Sequence, residues 1–123
     1  MQEHELRDLY TQFMDHNIRA SAGRHFEVAY HALAAAMHCA EDIRDAGLLA
    51  EVQRRAEEQR QWIDTKAPAH KLSSPSAKTR GNESVFTSLV KQIHSMLLGL
   101  KVDEQAEEVR QLNEKTGDGG LTS

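Results

Sequence analysis

The chain has 123 residues, 39% of them apolar and 28% charged, a size and balance that suit one ordinary domain enclosing a single core. A net charge of −4, from 19 acidic and 15 basic side chains, argues against a broad electrostatic grip on nucleic acid. No stretch reaches the roughly 18 apolar residues that cross a bilayer. "MQEHELRDLY" has neither a basic start nor an apolar run. Cys39 is the only cysteine, so no intrachain disulfide or thiolate-cluster metal site can form. The expectation is a cytoplasmic protein with no cofactor, no membrane association and no nucleic-acid partner.

Helical periodicity runs through most of the sequence, and no segment shows the sustained period-two alternation of a strand. The spacing predicts an all-α protein, an antiparallel bundle of four main helices at about 2–20, 23–45, 48–66 and 83–99 with a short C-terminal helix at about 102–115. These form a single domain over 1–116, followed by a flexible tail at 117–123.

In the first helix Leu6, Leu9, Tyr10, Phe13 and Met14 share one stripe, and Ser21, Ala22 and Gly23 provide a break. In the second, Phe26, Ala29, Tyr30, Leu33, Ala36, Met37, Ala40 and Ile43 fill a broad apolar arc that Val28, Ala32 and Cys39 extend. An arc of nearly half the circumference needs at least two packing partners, which places this helix at the centre of the bundle. Opposite it, His31 and His38 fall together with Glu27 and Asp42, forming a candidate functional face. Glu27–His31 and His38–Asp42 both stand at i,i+4, the spacing at which side chains on one helix meet.

Gly47 marks the turn into the third helix, where Leu48, Leu49, Val52, Ala56 and Ile63 form the inner stripe. Glu51–Arg55 and Arg54–Glu58 are spaced as solvated ion pairs, and Trp62 lies off the stripe's centre, where it would cover the core's edge. From 64 to 82 the pattern stops in a basic, Ser- and Pro-containing connector. Its Lys71, Lys78 and Arg80 are candidate anion contacts. "SSPSA" suits one helical turn capped by Ser74, with Pro75 at the first helical position.

The fourth helix, capped by Asn82 or Ser84, carries Val85, Phe86, Leu89, Val90, Ile93, Met96, Leu97 and Leu100. Beyond it Val102, Ala106, Val109 and Leu112 keep a weak stripe, which suits a short fifth helix or a continuation of the fourth past Gly99.

For function, "HALAA" at 31–35 resembles the His-x-Leu-Lys-Gly motif of histidine-phosphotransfer domains through His31 and Leu33, with Ala34 and Ala35 where that family has lysine and glycine. The resemblance implies a signalling bundle with His31 as phosphoacceptor. A metal site on the His31/His38 face is a further alternative; it would need ligands from another helix or a second chain, and no metal ligand set is assigned. The sequence contains no HExxH and no G-x-S-x-G, and the neighbours His38 and Cys39 point about 100° apart on a helix. No catalytic residue is assigned, and enzymatic activity is not expected. The favoured expectation is a small protein–protein interaction or scaffold domain that binds a protein partner or itself as a dimer. Tyr30, Leu33, Met37, Phe86, Leu89 and Ile93 are its interface or packing residues, because the second helix's arc and the 85–100 stripe together exceed what one chain would bury.

Overall fold

The computed structural model describes residues 2–122, with side chains described over 2–116. The chain is an all-α bundle of α1 (Glu3–Ala22), α2 (Phe26–Ile43), α3 (Ala46–Lys66), the short α4 (Ser74–Thr79) and α5 (Val85–Thr122). There is no strand among the described residues. α1 lies along α2 and α5 along α3, while α2 touches α1, α3 and α5 and joins the two pairs. The alanines make this central place possible: Ala29, Ala36 and Ala40 are fully buried, and their small side chains let three helices approach one axis.

The stripes read from the sequence meet in one core. Tyr10 and Met14 of α1, Phe26, Leu33 and Met37 of α2, Leu49, Val52 and Ile63 of α3, and Phe86, Leu89 and Ile93 of α5 are all buried there. Trp62 packs on its edge, with its ring 5.4 Å from that of Phe26. Val28 does not extend the arc of α2; it is 59% exposed. The helices that cover α2 leave its far flank open at this first turn.

The helix joints differ from expectation for a shared reason. α1 runs on to Ala22, and Arg24 rather than a glycine takes the left-handed conformation, with His25 N–H donating to the Ala20 carbonyl at 2.8 Å. α2 stops at Ile43, with Arg44 left-handed and Asp45 N–H donating to the Ala40 carbonyl at 3.1 Å. Both are Schellman endings, in which a six-residue bond satisfies a terminal carbonyl. Gly47 therefore lies inside the first turn of α3 and not in the turn itself. The start of α3 is fixed by Asp45, whose carboxylate accepts from Leu48 N–H at 3.1 Å and from Arg7 Nη1 at 3.1 Å. A left-handed arginine is sterically less favourable than glycine, so local preference was overruled in both joints by the tight reversal between packed helices.

The 64–82 connector is structured. Ser73, not Ser74, caps α4: its hydroxyl accepts from Ser76 N–H at 3.1 Å and donates to the Pro68 carbonyl at 2.6 Å. Asp64, at the end of α3, accepts from Ser74 N–H at 2.7 Å and Ser74 Oγ at 2.6 Å, while Arg60 holds the same carboxylate at 2.9 Å. Leu72 packs on the core and Ala77 is buried, so the segment lies against the bundle and does not loop away from it.

α5 continues through Gly99 without a break, so the fourth and fifth sequence segments form one helix. Its start is fixed by Ser84, buried, whose hydroxyl accepts from Phe86 N–H at 3.1 Å. The expected flexible tail at 117–123 lies outside the residues whose side chains are described.

Candidate functional site

His31 and His38 both stand exposed on the outer face of α2, two turns apart, or about 10.5 Å along the helix axis. Of the carboxylates beside them, Glu27 has another partner. Glu27 pairs with Lys71 of the connector at 2.8 Å, and that ammonium holds the Glu27 carboxyl below its ordinary range. Asp42 is exposed and bears on Cys39, whose thiol is pushed up first by burial and then by the Asp42 charge. A raised thiol pKa makes a poor nucleophile, so Cys39 belongs to the core in chemistry as well as in place. The His31 ring meets Tyr30 edge-on at 5.1 Å, and Tyr30 in turn meets Phe86 at 5.8 Å. Among the described residues no group of three or more His, Cys, Asp or Glu is placed to hold a metal ion.

Two of the three connector cations are engaged in the fold. Lys71 is the partner of Glu27, Arg80 donates to the Lys71 carbonyl at 3.0 Å, and Lys78 is exposed. On α3, Arg54 pairs with Glu58 at 2.8 Å as the spacing predicts. Glu51 instead accepts from the Tyr10 hydroxyl at 3.2 Å, and Arg55 Nε is buried with no hydrogen-bond partner.

Leu33, Met37, Phe86, Leu89 and Ile93 are buried within the chain's own core, and Tyr30 is half-buried against it. The large apolar residues left in solvent lie mainly elsewhere: Leu98 is 51% exposed, Val102 62%, Val109 57% and Leu112 60%. All four belong to α5. At 100° per residue they share one face, centred about 160° from the face carrying Phe86, Leu89, Ile93 and Leu100. α5 thus presents apolar stripes on opposite sides of its two halves, the inner one filled by α3 and α2 and the outer one open.

α5 also outruns the bundle. Among the described residues its last tie is the Arg44–Asp103 ion pair at 2.7 Å, and every residue from Glu104 to Thr116 is exposed. That length of helix extends about 20 Å at 1.5 Å per residue.

No protein family, curated protein or solved structure matches the chain. The geometry of α5 therefore carries the argument. Leu98, Val102, Gln105, Val109 and Leu112 follow one another at spacings of four, three, four and three, the rhythm of a coiled-coil seam. The periodicity alone groups Val102, Val109 and Leu112 with Ala106, which lies on the seam's flank, and misses Leu98, because Leu98 sits among Met96, Leu97 and Leu100, which face inward. The four-three rhythm is the signal that would have separated them. Gly99 adds a second observation. It is mid-helix, and a Cβ placed there would meet nothing within 4 Å. Nothing in the fold requires a glycine at this point, where it costs about 1 kcal/mol of helix stability relative to alanine.

Proposed function

We propose that the chain is a non-catalytic, cytoplasmic protein–protein interaction domain that self-associates through the outer face of α5. The observation that carries this reading is the exposed seam of Leu98, Val102, Val109 and Leu112 on a helix that projects past its own bundle. An isolated helical stretch of this length is marginal in water, and an apolar stripe in solvent is unfavourable, so a partner helix would stabilise both. The bundle itself serves as the scaffold that anchors α5. The phosphotransfer reading of His31 gains nothing from its surroundings, since Lys71 is committed to Glu27 and alanines stand at 34 and 35.

Sedimentation equilibrium on the full chain tests the proposal. A defined oligomer that Val102→Asp or Val109→Asp dissolves, with the circular dichroism of the bundle retained, supports it. A wild-type chain that stays monomeric at all accessible concentrations would overturn it.

A further inference from the structure

Resting on the self-association reading, we propose that the occupant of the α5 outer face is a second copy of the chain, bound antiparallel. Leu98 of each copy meets Val109 of the other, and Lys101 of each meets Glu108 of the other. Two flanks border the seam. On one side lie Lys101 and Glu108; on the other lie Gly99 and Ala106. In an antiparallel pair, like flanks face each other across the two-fold axis.

With that axis level with Asp103 and Glu104, the layers are Leu98 on Val109, Val102 on Gln105, Leu112 on Ser95 at the ends, and their symmetry mates. The same register sets Lys101 against Glu108 twice, so opposite charges meet at both of these positions. It also sets Gly99 against Ala106 twice. The two helix axes can then close together on that side, which gives the otherwise unexplained Gly99 a role. A parallel pair would instead place Lys101 opposite Ala106 and Glu108 opposite Asn113, with no charge gained. Gln105 in the central layers weakens the seam and fixes its register, as single polar core residues do in coiled coils.

The bundles do not obstruct this arrangement. Each lies on the opposite face of its own α5, so the order across the assembly is bundle, helix, helix, bundle. The intrahelical Arg110–Glu107 pair and the Arg44–Asp103 tie stand off the seam and remain intact. A seam of so few apolar layers falls in the weak, reversible class of interfaces, with dissociation on the order of micromolar.

Sedimentation equilibrium of the full chain should show a reversible dimer. Lys101→Glu should weaken it by about tenfold or more, and the charge swap Lys101→Glu with Glu108→Lys should restore it. In chains carrying Cys39→Ala, a mixture of Leu98→Cys and Val109→Cys chains should oxidise to a mixed disulfide dimer, while neither variant alone should link to itself. A monomeric wild type overturns both this arrangement and the self-association reading. A dimer indifferent to Lys101→Glu, or a Leu98→Cys chain that links to itself, overturns the antiparallel register alone and leaves self-association standing.

Discussion

Asn17 and Gln59 exchange two hydrogen bonds inside the bundle: Asn17 Nδ2 donates to Gln59 Oε1 at 3.0 Å, and Gln59 Nε2 returns one to Asn17 Oδ1 at 2.7 Å. Asn17 Nδ2 also donates to the Ala29 carbonyl at 2.8 Å, so one amide ties α1 to α2 and α3. Asn17 is fully buried and Gln59 nearly so. A satisfied polar pair of this kind orients the helices, because any other rotation of α1 strands a buried amide.

Removing one member should cost more than removing both. Asn17→Leu or Gln59→Leu alone is expected to lower stability by about 2 kcal/mol, since each leaves the other amide buried without a partner. The double Leu variant should recover part of that loss, giving a non-additive cycle in urea denaturation. Additive losses would mean that the two amides do not depend on each other.

Tyr10 predicts an alkaline limit to stability. Its hydroxyl is buried, shares its one proton between the Leu48 carbonyl and Glu51 at 3.2 Å each, and its pKa is pushed far up, first by burial and then by the Glu51 charge. For a tyrosine raised in the folded state, the stabilisation is complete below the unfolded value near 10 and is lost as pH rises beyond it. Absorbance titration should find that of the two tyrosines one ionises only together with unfolding. Tyr10→Phe should remove that coupling at a cost of about 1 kcal/mol near neutral pH.

Asp45 governs the acid side. Its carboxyl is held below the usual range, chiefly by the Leu48 N–H that it caps and also by Arg7. A depressed carboxyl contributes stability above its unfolded pKa, near 4, and loses it as pH falls through the folded value. Asp45→Ala should lower the thermal midpoint at pH 7 by the equivalent of about 1 kcal/mol. Asp45→Asn should retain most of the cap and flatten the acid dependence. Equal acid dependence in the Asn variant would place its origin elsewhere.

Arg44 is left-handed at φ 61°, a conformation glycine adopts without steric penalty. Arg44→Gly should therefore raise stability by about 0.5–1 kcal/mol, even though it deletes an ion pair with Asp103. That pair is solvent-exposed and contributes little. Arg44→Ala, which loses the pair without relieving the backbone, serves as the control in the same thermal melts. A gain in the Ala variant equal to that of Gly would rule out the backbone explanation.

Composition and periodicity were enough to establish an all-α bundle, the central place of α2, the outward turn of His31 and His38, and the inward turn of Phe86, Leu89 and Ile93. These follow from one rule: a stripe repeating every 3.6 residues buries itself, and its opposite face stays in solvent. What the tertiary structure alone decided depends on contacts between residues distant in sequence. Glu27 chose Lys71 over His31, and Glu51 chose Tyr10 over Arg55, because partners from another element arrived better placed than the local i,i+4 neighbour. Asp64 and Ser73 fixed a connector in which the sequence suggested order only for the single turn at "SSPSA". The exposed seam on α5 is of the same kind. Its residues are apolar by sequence, but which face of α5 stays open was decided by the side on which α2 and α3 pack, and α5 then runs on beyond them.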